Sequence, residues 1–248
     1  MTPGEIALVL HDELRRFAVV GGVMTITSEG STHRIVADAS RAPGGRAAVG
    51  AILMLMGSAA CVAIAPALID DSYSVLEQSI SESGGQGVEG AWLARVGFLL
   101  LGFGVLVIAG LARNRWGLWG ALAHRIYGVS MIATAAFAHM PWRPDVPYVA
   151  FEDFLHSVAA NIVGASFTIG VLIVSFTRSR DARVARAFDW LAIVAAIGIS
   201  IMIFNVAGVA GLVQRIMFVI GYLWYGAEAV RSINGLGSES PVRDGAHV

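Results

Sequence analysis

Lysine is absent from this 248-residue chain, cysteine occurs once, and charged residues make up only 14% of it. Each shortage excludes something. With Cys61 alone there can be no internal disulfide and no cysteine metal cluster, and the residue reads as a small packing side chain. So little charge, set against 56% hydrophobic residues and a mean hydropathy of +0.69, is too apolar for a soluble core inside a solvated shell. Glycine-rich phosphate loops, nucleotide fingerprints, nucleophile elbows and nucleic-acid modules are missing as well, so no nucleic-acid partner is expected.

What the chain has is apolar length. A helix crossing the hydrocarbon layer needs roughly 20 predominantly apolar residues, because each adds about 1.5 Å and every backbone polar group must be satisfied within the segment. Six stretches qualify, at about 47–69, 92–112, 118–140, 154–176, 188–206 and 210–227. The last two run almost together and are split at Asn205-Val206-Ala207-Gly208, since tilt alone cannot absorb their combined length. The fold class expected is all-α: a polytopic integral membrane protein with six transmembrane helices.

Orientation follows from arginine. All 17 basic residues are Arg, so the positive-inside count is an arginine count. Arg15, Arg16, Arg34, Arg41 and Arg46 precede the first span, Arg113, Arg115 and Arg125 surround the second connection, Arg178, Arg180, Arg183 and Arg186 fill the fourth, and Arg231 and Arg243 follow the last. Only Arg95, Arg143 and Arg215 fall on the other side, whose loops carry Asp70, Asp71, Glu77, Glu82, Glu89, Asp145, Glu152 and Asp153. Both termini are therefore expected in the cytoplasm (N-in/C-in). Residues 1–46 read as a cytoplasmic N-terminal appendage and linker, 47–230 as the bundle, and 231–248 as a disordered cytoplasmic tail. Within the appendage, 5–20 has the spacing of a short amphipathic helix, 24–36 that of a small hairpin, and 37–45 the composition of a linker, which makes it a surface-bound element or a dock for a protein partner. The first span begins too late for a cleavable secretory signal.

In the first external loop Tyr73, Leu76 and Ile80 repeat at helical spacing, predicting a short interfacial helix that ends at Gly84-Gly85. The loop's Tyr73-Ser74, Ile80-Ser81-Glu82 and Gly84 are followed by Trp92-Leu93-Ala94-Arg95-Val96-Gly97, Asp153 stands just ahead of His156, and Gly211-Leu212-Val213-Gln214-Arg215-Ile216 opens the sixth span. This pattern resembles the bacterial and archaeal membrane proteins grouped as domain of unknown function 998, over roughly residues 50–230. The resemblance implies six helices in a prokaryotic cytoplasmic (plasma) membrane and brings no activity with it, so function has to be argued from the site.

Ionisable side chains inside spans cost about 2.5–3.5 kcal/mol at the helix centre, so their positions carry information. They gather at the outer end: His139 closes the third span, Asp153 and His156 open the fourth on one helical face, Arg95 begins the second, and Asn205, Gln214 and Arg215 flank the last connection. With Glu82 and Glu89 from the loop they predict a polar extracytoplasmic vestibule. Four uses are open to it. His139, Asp153 and His156 are suitable ligands for Zn²⁺ with a position left for water, although no HExxH motif occurs. Alternatively Asp153 orients His156 as a general base while Arg95 or Arg215 holds an anionic headgroup, which would make a lipid-directed enzyme. An ion-pair network of Arg95 and Arg215 with Asp153, Glu82 or Glu89 would make a structural, interaction or lipid-binding protein, its partners being membrane lipids. A small-molecule or lipid transporter is the fourth, although no internal repeat is evident and Glu228, at the inner end of the sixth span, is no midplane carboxylate.

The other side chains fall to packing and anchoring. Asn161 lies about 140° round the helix from His156 and is expected at a different contact. His124 and Arg125 are expected to snorkel to water or phosphate, and all six Trp (Trp92, Trp116, Trp119, Trp142, Trp190, Trp224) to form interfacial belts. Ala59, Ala63 and Ala67, and Ala160, Gly164 and Thr168, read as close-packing seams, and Pro66 as a kink.

Overall fold

The computed structural model describes residues 43–179, 182–206 and 208–238, and among them every regular element is a helix. The expected N-terminal amphipathic helix and hairpin, and the last ten residues of the tail, lie outside the described residues. Helix α1 (Pro43–Ile64) passes into a 3-10 turn at Ala65–Leu68, where Pro66 cannot donate to the ladder. After a loop containing the single-turn α2 (Ile80–Ser83) come α3 (Ala91–Leu111), α4 (Arg113–Ala136), α5 (Ala150–Thr177), α6 (Arg183–Asn205) and α7 (Ala210–Ser238). Gly117, at φ 70°, breaks α4 so that its straight part starts at Leu118, where the apolar run begins.

The long helices form a ring in chain order, α7 closing on α1. Four are long and apolar enough to cross a membrane: Pro43–Leu68, Ala91–Leu111, Ala150–Thr177 and Arg183–Met202. Helices α4 and α7 are as long, with 24 and 29 residues, but carry His124, Arg125, Gln214, Arg215, Glu228 and Arg231. The outside of the ring is apolar. Leu53, Met56, Phe103, Phe151, Phe176 and Val194 are all about half exposed or more, a surface that water would not tolerate and a membrane would. Chain ends differ from the expected boundaries: α1 already starts at Pro43, inside the expected linker, and α7 runs on to Ser238, past 230. Proline suits a first helical turn, whose N–H groups have no intrahelical acceptor. The α7 extension follows from side chains that bond back to the bundle.

Those side chains build the strongest polar feature of the interior, at the end of the ring opposite the 69–90 loop. Asp189 of α6 and Glu228 of α7 are both fully buried. Arg178, the C-cap of α5, grips Asp189 through two nitrogens and Glu228 through Nη2. Arg231 pairs with Glu228, and Arg115 of α4 donates to the Glu228 carbonyl at 3.2 Å and to Ser232 Oγ at 2.9 Å. Two indoles complete the set: Trp116 Nε1 donates to Glu228 at 2.9 Å and Trp224 Nε1 to Asp189 at 2.8 Å. In this apolar setting guanidinium and indole donors stand where water would otherwise solvate the two carboxylates.

The packing of the interior overturns three expectations. Trp116 and Trp224 are buried partners of carboxylates, not members of an interfacial belt, whereas Trp92, Trp119 and Trp190 are exposed. His124 does not snorkel: it is fully buried, bonds Tyr225 Oη through Nδ1 at 2.9 Å, and stacks on Trp224 with ring centroids 4.8 Å apart. The α1 seam is also rotated. Its buried stripe is Ala48, Ala51, Leu55, Ser58, Val62 and Ala65, while Ala63 and Ala67 face outward. Ser58 makes that stripe specific, donating to the Gly97 carbonyl of α3 at 2.6 Å and meeting Tyr222 Oη of α7 at 2.8 Å.

Removing one partner of a buried pair leaves the other charge uncompensated, at a cost of about 3–5 kcal/mol. Glu228→Gln is therefore expected to lower the thermal midpoint of the detergent-purified protein sharply and to reduce its accumulation in membranes. An unchanged midpoint would show that the pair does not hold the bundle.

Candidate functional site

At the opposite end, residues 69–90 fold over the ring and are held there by backbone as much as by side chains. The first N–H groups of a helix have no acceptors of their own. In α7 the Gly211 N–H reaches the Glu77 carbonyl at 3.2 Å and the Leu212 N–H the Leu76 carbonyl at 3.0 Å, so the loop caps the helix. Gln214 Oε1 accepts from Ile80 N at 2.5 Å. Arg215 spreads its guanidinium over the carbonyls of Val75 (2.8 Å), Gln78 (3.0 Å) and Gly211 (3.0 Å) and over Tyr73 Oη (2.8 Å). A Cβ on Gly211 would lie 2.3 Å from the Gln78 carbonyl oxygen, so only glycine allows the loop to approach this closely.

The loop is consequently less helical than the spacing of Tyr73, Leu76 and Ile80 predicts. Within it Ile80–Ser83 alone is helical, started by a capping box in which Ser79 and Glu82 satisfy each other's N–H groups, while 71–72 and 75–77 form separate turns. Arg215 and the α7 N-terminus take up the carbonyls that a longer helix would have used. Burial pushes the Tyr73 phenol up, with the Arg215 charge opposing it. At the loop's start the Ser72 hydroxyl and N–H hold the Asp70 carboxyl below the usual carboxylate range, and Arg143 adds an ion pair at 3.0 Å.

The connection from α4 to α5 is pinned in the same manner. Glu152 and Asp153, in the first turn of α5, accept from the N–H groups of Ala138 (2.7 Å) and Met140 (2.8 Å). Gln86 joins this connection to the first loop: its N–H reaches the His139 carbonyl at 2.9 Å, and its amide bonds Val149 N–H, Val149 O and Ala138 O. Gln86 stands alone between glycines in the sequence, with no pattern to mark it. Asp189 did carry a signal, as an acid within an apolar run, which demands a partner wherever it lies.

Several of the expected vestibule residues meet here in an arrangement of their own. His139 Nδ1 bonds Asp153, and its ring stacks on His156 with centroids 5.1 Å apart and planes 11° from parallel. Asp153 is thus bonded to His139 and not to His156, whose Nδ1 points to the carbonyls of Phe137 (2.8 Å) and Thr134 (3.1 Å). Among the described residues no three His, Cys, Asp or Glu side chains converge to hold a metal ion. Arg95 donates Nε to the Gly84 carbonyl at 2.9 Å, and Glu82 serves the capping box. Both arginines thus answer backbone carbonyls where a carboxylate network was expected. Glu89 is exposed, and the Asn205 side chain lies outside the described residues.

Below this lid α5 and α6 part. An open cleft of about 770 Å³ runs between them and α7, with Ser79, Ser81, His139, His156, Ser157 and Gln214 at the loop end and Val163, Ala196 and Met217 deeper. Asn161, Ile169 and Ile197 on its rim are exposed, so it opens on the flank of the ring between α5 and α6. Ala160, Gly164 and Thr168, expected as a close-packing seam, line this cleft instead, and a Cβ on Gly164 would meet nothing within 4 Å. Asn161 and His156 belong to the same cleft although they lie on different helix faces. A smaller pocket of about 40 Å³ continues inward from Gly164 and Met217 to Tyr127, Phe167 and Tyr222. His156 is 3% exposed, and its Nε2 is buried without a hydrogen-bond partner among the described residues.

Lysine cannot replace a planar fork that serves several carbonyls at once. Arg215→Lys and Gly211→Ala are both expected to raise the rate of proteolytic cutting within residues 70–80 by about tenfold, one decade per 1.4 kcal/mol of loosened contact. Gly164→Ala is expected to leave it unchanged. Cutting rates equal to the parent in all three would mean that the clamp does not secure the loop.

No curated protein and no solved structure matches the chain. The model of one family, described as "Protein of unknown function (DUF998)", matches residues 48–231, from the first turns of α1 to the Arg231 that pairs with Glu228. The chain belongs to that family, whose description names no activity.

Proposed function

We propose that this protein is a six-span protein of a prokaryotic cytoplasmic membrane, with both termini inside, that binds a membrane lipid in the cleft between α5, α6 and α7. The observation that carries the reading is the cleft itself: polar at one end, apolar in its depth, and open on the flank where lipid tails would lie. Its volume of about 770 Å³ is within the range of small-ligand sites, roughly 300–1,000 Å³.

Six crossings are favoured because α4 and α7 belong to the same ring as the four apolar helices, and Arg115, Glu228 and Arg231, which lower their hydropathy, are paired with one another and with Arg178 at one end. Arg115, Arg178, Arg183, Arg186 and Arg231 share one end of that ring, which the positive-inside rule assigns to the cytoplasm. The 69–90 loop and the mouth of the cleft would then face outward. Binding is favoured over transport. The cleft occupies only the loop-end half of the α5–α6 seam, and the other half is closed by Arg178, Asp189 and Glu228.

Gly164 offers a direct test, because a Cβ there meets nothing within 4 Å and a larger side chain would enter the cleft that Gly164 lines. Gly164→Trp is expected to accumulate and melt like the parent yet to lose most of the lipid that co-purifies with it, read by lipid extraction and by native mass spectrometry. Retention of the full lipid complement by the variant would refute the cleft as the binding site.

A further inference from the structure

The polar end of the cleft is unusual for a lipid site in what it withholds. Headgroup phosphates are ordinarily met by Arg or Lys, as forks or point charges. Two arginines stand close by, but Arg215 is committed to three carbonyls and a phenol, and Arg95 to the Gly84 carbonyl. Neither lines the cleft. The lining there is neutral hydroxyl and amide, from Ser79, Ser81, Ser157 and Gln214, together with two imidazoles.

Of these groups His156 is the most constrained. Carbonyl oxygens only accept, so the Nδ1 that faces Phe137 and Thr134 carries the hydrogen. Asp153, the carboxylate that could hold the ring as imidazolium, bonds His139 instead. The remaining nitrogen, Nε2, of a ring that lines the cleft, is then a lone-pair acceptor, buried and without a donor among the described residues. A buried acceptor is costly to leave unmet, so the occupant of the cleft is expected to bring the missing O–H.

We infer that the cleft selects an amphiphile with an uncharged, hydroxyl-bearing headgroup, donating to His156 Nε2, and discriminates against phosphate-bearing lipids. This rests on the lipid-binding reading above. A phosphate in the same place would set one acceptor against another and surrender its water with no guanidinium in return. The headgroup chemistry has two natural sources, the single hydroxyl of a diacylglycerol and the several hydroxyls of a glycosylated diacylglycerol.

The test uses the full-length protein in phosphatidylcholine nanodiscs, loaded with a tail-labelled diacylglycerol and challenged with three unlabelled competitors of identical chains: diacylglycerol, monoglucosyl-diacylglycerol and phosphatidic acid. One or both neutral lipids are expected to displace the label at least about tenfold better than phosphatidic acid, the stronger naming the source. His156→Phe is expected to keep tail binding and lose that preference, and Gly164→Trp to bind none of the three. Phosphatidic acid competing as well as the neutral lipids, or a preference that survives in His156→Phe, would overturn the headgroup inference while leaving the cleft intact. Failure of the parent protein to take up any of these lipids would overturn both. If His156→Phe does not accumulate, the order of competition in the parent decides.

Discussion

Asp189 and Glu228 are fully shielded from solvent, and the contacts that answer them govern the rest of the bundle. Their oxygens are met by guanidinium nitrogens of Arg178, Arg231 and Arg115 and by the indole N–H groups of Trp116 and Trp224. An apolar surrounding makes each of these bonds strong and each omission expensive, so the cluster fixes α4, α5, α6 and α7 at one end within narrow limits. Stacked directly beneath it, His124, Trp224 and Tyr225 carry the order further into the bundle.

A bundle pinned at one end can be open at the other. Helices α5 and α6 are joined through Arg178 and Asp189 and separate towards the 69–90 loop, where Ala160, Gly164 and Thr168 provide too little side chain to close the gap. Small residues on a membrane helix usually bring a partner helix closer. Here they leave room. The α7 end of the cleft keeps its shape by other means, since the loop that covers it is bonded to Gly211, Leu212, Gln214 and Arg215 through main-chain groups. The stretch Gly211 to Arg215 therefore works as a receptor for the loop: glycine for approach, free N–H groups for capping, and a fork for the carbonyls left over.

Much of this architecture is legible in the amino-acid sequence, because hydrocarbon thickness imposes a length on each apolar run and Pro66 punctuates the first of them where the helix must bend. Azimuth is far less legible. Ala59, Ala63 and Ala67 have the right spacing for a seam, but the stripe that packs is the one through Ser58, and only the hydroxyl bridge to Gly97 and Tyr222 reveals why. Likewise Trp116, Trp224 and His124 sit near span boundaries, where indoles and imidazoles usually meet water, and are held inside by distant partners, Trp116 by Glu228, Trp224 by Asp189 and His124 by the Tyr225 hydroxyl. At the loop end His139, Asp153, His156 and Gln214 could be singled out as polar residues near a span boundary. Which of them bond one another could not, since that depends on the carbonyls of Thr134 and Phe137 and on the lone Gln86.

Together these constraints describe a ring closed at its arginine-rich end and parted at its loop end, with the gap as the place proposed for a lipid. The most direct measurement is an experimental density map of the protein in a lipid nanodisc. The account predicts α5 and α6 held together at Arg178 and Asp189, separated beside Gly164, and elongated density between them that ends near His156. Helices packed against each other along their whole length, with side chains filling the space beside Gly164, would contradict it.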